Sequence, residues 1–256
     1  LPRMKPIKVR NGIPFYYDKS ESEFRMDVYE QYDTTVMKNA RRYLSGNRVS
    51  ESLDYLVNCI RQNDQSTVIV ENGCGIGYHT AMISKEFDDA LIFGFDLSYQ
   101  MLSMAADLWI HKKKSTNSTL TAFFQKHGLS LDVEILDQNP KMQLALAKCE
   151  KLPLENEMVD VSYSCYLWDR IADNKDFVLE QHRILRKGGY LIVLGPMTFT
   201  SNTAWEAWYP FAKLVAFVVN LGFKLIDQSS WQERDVFDGR NNYITWQVEG
   251  FCFEKV

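Results

Sequence analysis

Two spacings of apolar residues alternate along the chain. Short apolar runs at Val68–Val70, Leu91–Phe95, Gln143–Ala147, Met158–Cys165, Gly189–Val193, Phe223–Ile226 and Tyr243–Phe253 read as strands. Between several of them the spacing becomes helical: Tyr78–Phe87, Met101–Trp109, Phe177–Leu185 and Trp208–Leu221. Before the first run, Phe24, Val28 and Tyr32 share one helix face, with Ser20 and Glu23 spaced as a capping box. A second amphipathic helix is expected from Ser50 to Arg61. Residues 1–20 carry Pro2, Pro6, Gly12 and Pro14 and are expected to be extended or coiled. Strands alternating with helices predict an α/β fold: a Rossmann-like, mostly parallel sheet with helices on both faces.

The first run is the organising one. Val68-Ile69-Val70 ends on Glu71 and enters Asn72-Gly73-Cys74-Gly75-Ile76-Gly77. Its β-branched residues suit a strand covered on both sides. Gly73, Gly75 and Gly77 let the backbone turn tightly and approach a ligand. The spacing is neither the dinucleotide fingerprint nor a P-loop, whose lysine is absent. The second run ends on Asp96, about 20 positions past the turn, where a carboxylate can accept both hydroxyls of a ribose. Glu71 sits where a carboxylate could hold an amino group.

Together these residues resemble motif I and its successor in class I S-adenosylmethionine-dependent methyltransferases. Later segments follow the family order. Lys148-Cys149-Glu150-Lys151-Leu152-Pro153 resembles the segment that edges the adenine, but Lys148 stands where the family has Asp. A lysine cannot accept the adenine amino proton, so that contact must pass elsewhere. Val159-Asp160-Val161 resembles the fourth strand, with Asp160 structural. Arg183-Ile184-Leu185-Arg186-Lys187-Gly188-Gly189 resembles the helix-to-strand turn before the fifth. There Arg186 and Lys187 are expected in the last helical turn, Gly188-Gly189 ends the helix, and His182 packs. The resemblance covers about residues 65–256. It implies a seven-stranded sheet with an antiparallel last strand, residues 65–256 as the cofactor-binding domain and residues 1–64 as a helical cover on the substrate side.

The same resemblance implies S-adenosylmethionine as cofactor, with S-adenosylhomocysteine as product. Glu71, Gly73, Gly75, Gly77, Asp96, Leu97, Met101, Cys149, Glu150 and Ser164 are the expected cofactor contacts. The acceptor side is expected to draw on Tyr16, Tyr17, Tyr32, Tyr166, Trp168, Asp169 and Pro196. Asp169, the carboxylate just past the fourth strand, is the candidate catalytic base, or alternatively a helix N-cap. No metal ligand set is expected. A narrower resemblance links Gly94–Leu102, Gly188–Pro196, Asp169 and Asn174 to carnosine N-methyltransferases, which methylate an imidazole nitrogen.

Composition narrows the partners. A formal net charge of -4 and a sequence pI near 5.7 argue against a nucleic-acid partner. The basic stretch from His111 to Lys114 reads as a solvated loop, and residues 111–142 as an insertion. No apolar run is long enough for a membrane span. Five cysteines without a C-x-x-C pair, and no leader-like start, point to a reducing, cytoplasmic setting. The expected partner is a small-molecule methyl acceptor, with nitrogen preferred; the oligomeric state is open. The alternatives are C-methylation of a quinone-like or lipid precursor, and a non-catalytic binding subunit that keeps the fold.

Overall fold

The computed structural model describes residues 4–20, 36–45, 51–63, 67–111, 118–132, 140–171, 173–199 and 201–256. Two short N-terminal strands, β1 (Lys8–Arg10) and β2 (Ile13–Phe15), precede helices α1 (Met37–Leu44) and α2 (Glu51–Arg61). Then follow β3 (Val68–Asn72), α3 (Tyr78–Glu86), β4 (Leu91–Asp96) and α4 (Tyr99–Ala105), which runs on as a wider turn to Ile110. Next come α5 (Ser118–Lys126), β5 (Met142–Leu146), β6 (Val159–Cys165), α6 (Asn174–Ile184) and β7 (Leu185–Gly195). The chain closes with α7 (Asn202–Trp208), α8 (Ala212–Asn220), β8 (Phe223–Val236) and β9 (Tyr243–Lys255).

One sheet holds all nine strands, in the order β1-β2-β5-β4-β3-β6-β7-β9-β8. From β5 to β7 every pairing is parallel; β9 is antiparallel to both β7 and β8. Alternation along the strands splits the core in two. Ile69, Val161, Tyr163, Ile192 and Leu194 face α1, α2, α3 and α4. Val70, Val159, Leu191 and Val193 face α6 and α8, through Phe177, Val178, Ile184, Leu214 and Val218. Both faces of the central strands are therefore covered, which is why their sequences read as unbroken apolar runs.

Three expectations need correction. The sheet has nine strands because residues 8–15, within the segment expected to be extended or coiled, form a hairpin that joins it. Asn11 and Gly12 turn it with φ of 50° and 77°. Phe15, fully buried, pairs with Leu146, and the Tyr16 N–H donates to the Leu146 carbonyl at 2.8 Å. The single helix expected from Trp208 to Leu221 is two, α7 and α8, because Pro210 between them has no N–H to donate. Strand β8 starts at Phe223, where the run Phe223–Ile226 begins, and continues to Val236. Finally, α6 stops at Ile184, so Arg186 and Lys187 are in a strand and not in a helical turn.

That last difference has a clear cause. Asp160 accepts from Thr67 N–H (3.0 Å), Val68 N–H (2.8 Å) and Thr67 Oγ1 (2.7 Å), and Arg186 closes on its other oxygen. Arg186 also donates to Asn63 Oδ1 at 2.8 Å. Pulling Arg186 to Asp160 ends the helix early. Gly189 then passes so close to the Asp160 carbonyl that a Cβ would lie 3.0 Å from it. Ser98 caps α4, its Oγ accepting from Met101 N–H at 3.2 Å. His182 packs on Phe223, as expected. Glu23 of the expected capping box and the helix with Phe24, Val28 and Tyr32 fall on 21–35, outside the described residues.

Asp160 joins the starts of three segments, so its loss should be felt globally. Asp160→Ala leaves two backbone N–H groups and a guanidinium without their acceptor and should destabilise the protein by about 3–5 kcal/mol. Urea unfolding followed by circular dichroism measures it; a change under about 1 kcal/mol would refute the anchoring role.

Candidate active site

The site forms where β3, β4 and β6 deliver their carboxyl ends, as open parallel sheets require. Asp96 sets the glycine turn. Its two carboxylate oxygens accept from Gly75 N–H (2.8 Å) and Ser98 N–H (2.7 Å). The Phe95 carbonyl receives Gly73 N–H and Cys74 N–H at 2.8 and 2.9 Å. From behind, Trp109 Nε1 donates to the Ile76 carbonyl at 2.7 Å. Gly75 has φ +54° and nothing within 4 Å of where a Cβ would be. A side chain there would fill the open space that a ligand needs.

Two cavities meet at this turn. The larger, about 510 Å³, takes Glu71, Gly73, Gly75, Asp96 and Met101 from the cofactor side. The smaller, about 250 Å³, is lined by Leu97, Lys148, Cys149 and Glu150 among others. Gly73, Asp96, Leu167 and Arg170 belong to both. The residues fit an elongated ligand with its amino-acid end over the glycine turn, its ribose at Asp96 and its base in the smaller cavity. Two expected cofactor residues lie elsewhere. Gly77 caps α3 and faces Ala105 and Trp109, each 3.2 Å from a would-be Cβ. Ser164 is fully buried in β6 and lines neither cavity.

The acceptor side differs more from expectation. Tyr166 lines the larger cavity, as expected. It holds φ +57°, a left-handed conformation costly for a tyrosine, and Gly195 makes room for it: a Cβ at 195 would lie 3.1 Å from Tyr166 Cα. Trp168 is core, 1% exposed and edge-on to Phe177 and Trp208. Pro196 is half-buried and outside the cavity lining. Tyr16 and Tyr17 sit beside β5, at the adenine end, with Lys148 Nζ 4.2 Å from the Tyr17 ring centroid. Tyr32 lies outside the described residues.

Asp169 lies outside the cavity lining and is not the cap of α6. Its Oδ2 accepts from Thr198 N–H (3.1 Å) and Thr198 Oγ1 (2.7 Å), pinning the loop after β7. The cap of α6 is Asp173, which accepts from Lys175 and Asp176 N–H at 2.9 and 3.0 Å. The chain is turned here by a single 3-10 turn, Trp168–Arg170, which sends Arg170 to the cavity and Asp169 outward.

Sequence reading missed the cavity's far wall. Lys38, Asn39, Arg42 and Tyr43 come from α1, and Asp235 and Trp246 from β8 and β9. The spacing Met37, Ala40, Tyr43-Leu44 would have marked α1; nothing local marks Asp235. A polar lattice ties this wall down. Glu233 accepts from Ser52 N–H (2.9 Å) and from the Tyr166 hydroxyl, and Ser52 Oγ lies 3.1 Å from that hydroxyl. The Arg42 guanidinium lies 4.1 Å from the Tyr166 ring centroid and 4.0 Å from Glu233. Arg41 pairs with Asp235 at 3.1 Å.

Glu71 forms the cavity floor. It is 1% exposed, accepts from Thr80 Oγ1 and, at 3.2 Å, from the Tyr163 hydroxyl, and lies 3.7 Å from His79 Nδ1. Glu71, His79 and Cys165 bring ligand-type atoms within 4.8 Å of one another. Both hydroxyls bond one oxygen of Glu71, Oε2, and the other oxygen, Oε1, faces His79. Burial pushes the Glu71 carboxyl up to about 8, against the pull of its two hydroxyl partners.

This has a pH consequence. From about 4.3, the unfolded Glu value, to about 8, the folded protein holds a proton that the unfolded chain releases. Stability therefore falls as pH rises through that window, then levels. Melting temperatures of wild type and Glu71→Gln between pH 5 and 8 should diverge, with the variant losing less. Parallel curves would refute the buried proton.

Comparison with known proteins agrees with this geometry. Residues 70–193 match the family described as a methyltransferase domain. A malonyl-[acyl-carrier protein] O-methyltransferase of Hahella chejuensis (strain KCTC 2396) is 24% identical over 148 residues, 55% of this chain; the match spans 40% of that relative's length. The magnesium protoporphyrin IX methyltransferase of Synechocystis PCC 6803, solved with bound SAH, superposes with a TM-score of 0.56 at 13% identity, covering 91% of this chain and 100% of that one. A SAM dependent methyltransferase from Aquifex aeolicus gives 0.53 at 13% identity, covering 88% and 98%. At such identity the superpositions establish the fold. Residues 70–193, just under half of the chain, match the methyltransferase domain family, and the chain has the fold of class I S-adenosylmethionine-dependent methyltransferases.

Proposed function

We propose that the protein methylates a nitrogen of a small polar molecule. The observation that carries this reading is the charged wall facing the glycine turn: Lys38, Arg42, Arg170 and Asp235, with Tyr166 and His79. Desolvating such groups against a quinone or lipid precursor would cost several kcal/mol without compensating hydrogen bonds. A polar acceptor supplies those bonds. Helices α1 and α2 act as the cover, since α1 lines the cavity and Ser52 of α2 braces Glu233 and Tyr166, whereas the hairpin at 8–15 belongs to the sheet.

The bound cofactor supplies an electrophilic methyl group, so the protein's task is to hold the acceptor in line with it. Tyr166 is suited to this. Its hydroxyl proton is directed to Glu233, so the phenol oxygen meets an incoming ligand as a hydrogen-bond acceptor. An amine N–H satisfies it and leaves that nitrogen's single lone pair for the methyl; an imidazole N–H satisfies it and leaves the lone pair of the ring's second nitrogen. Glu233, 4% exposed, steadies the hydroxyl and is itself held by the Ser52 N–H.

Assay against amine, imidazole, phenol, carboxylate and quinone pools with labelled cofactor tests the reading. Label in base-stable N-methyl products is expected; label confined to hydrolysable esters or to quinones would overturn it. With the acceptor so found, Tyr166→Phe should lower kcat about 10- to 100-fold while cofactor Kd stays within a few-fold. On the cofactor side, Gly75→Leu should abolish calorimetrically detectable binding of S-adenosylhomocysteine in a chain that still melts cooperatively. Unchanged affinity in that variant would contradict the placement of the glycine turn.

A further inference from the structure

The smaller cavity has a lysine where the superfamily's acid would receive the adenine amino group. That group has two N–H donors, and once out of water it needs an acceptor. Lys148 offers only donors, and its ammonium is turned to the Tyr17 ring, 4.2 Å from the centroid. Five of the backbone carbonyls that line the cavity already have donors. Phe95 receives Gly73 and Cys74, Asp96 receives Ala147 at 3.2 Å, and Lys148 receives Lys151 at 3.0 Å. The Leu97 carbonyl receives Lys19 Nζ at 3.1 Å, and the Cys149 carbonyl receives Gln181 Nε2 at 3.0 Å.

Two carboxylates line the cavity, Asp96 and Glu150. Asp96 is committed to Gly75 and Ser98. Glu150 is half-buried, and its Oε2 receives the Cys149 thiol at 3.4 Å, a weak donor. Burial, aided by the Glu150 charge, pushes the Cys149 thiol up, so it stays protonated and can donate to the carboxylate beside it.

We infer that Glu150 reads the adenine amino group in place of residue 148, and that Lys148 is released to hold the N-terminal segment at the cavity edge. The division is coherent. Tyr17 on Lys148 and Lys19 on the Leu97 carbonyl fasten the stretch after β2 to two residues of this cavity. Glu150, two residues past Lys148, keeps an anionic acceptor within the same lining. A carboxylate acceptor accepts from a 6-amino purine and repels a 6-oxo purine, whose lone pairs would face it.

Calorimetry on the full chain with S-adenosylhomocysteine and its 6-oxo counterpart, S-inosylhomocysteine, tests this without turnover. Wild type should prefer the amino compound by about 10- to 100-fold, the range for one hydrogen bond to a charged group. In Glu150→Gln, whose amide can turn either face to the base, the preference should shrink to within about threefold. Adding Lys148→Asp to Glu150→Gln should restore a preference of about tenfold or more, which a merely structural role for Glu150 would not do. Undiminished discrimination in folded Glu150→Gln, or no discrimination in wild type, would overturn the inference.

Discussion

The carboxylate of Asp96 is the constraint on which the site depends. Its two oxygens grip Gly75 N–H and Ser98 N–H, so one side chain fixes both the glycine turn after β3 and the start of α4. With those amides held, the turn keeps its left-handed glycines and leaves the space at Gly75 open. Trp109 clamps the turn from the other side through the Ile76 carbonyl. The cofactor therefore meets a preformed cradle, and little ordering is left to be done on binding.

A second, longer-range lattice builds the acceptor wall. Glu233 and Asp235 project from β8, at the far edge of the sheet, yet they bind Ser52, Tyr166, Arg42 and Arg41. The edge strand β8 thus fastens α1 and α2 over the carboxyl ends of the central strands. Mutually paired charges can be kept in a largely buried wall because each has a partner, whereas a lone charge there would be expelled or neutralised. The strained backbone of Tyr166 belongs to the same lattice, which holds its hydroxyl at two points.

The two halves of the pocket are governed by different physics. On the cofactor side, backbone amides and glycines do the work, so the residue types are dictated by backbone geometry. On the acceptor side, side chains from five separate elements converge, and their identities are free to follow the substrate. Asp169 illustrates the difference. Being next after the fourth strand placed it near the site, but a single 3-10 turn decided that Arg170 faces the cavity and that Asp169 holds Thr198.

What the sequence by itself determined is what local periodicity and local backbone needs encode. The parallel core strands were legible because burial on both faces demands unbroken apolar runs. The glycine turn and Asp96 were legible because glycine takes φ near +54° to +73° without strain and leaves room for a ligand, and the acid ends its strand. Even the departure at Lys148 could be read as a lost adenine contact. Tertiary structure alone decided the rest. The N-terminal hairpin exists because Phe15 finds a buried place beside β5, and no period in a three-residue strand announces that. The early end of α6 follows from the pull of Asp160 on Arg186, residues 26 apart in sequence. The acceptor wall joins Arg42 to Glu233, and Ser52 to both Glu233 and Tyr166. Such pairings are set by where distant elements pack, and no local pattern of polar and apolar residues carries them.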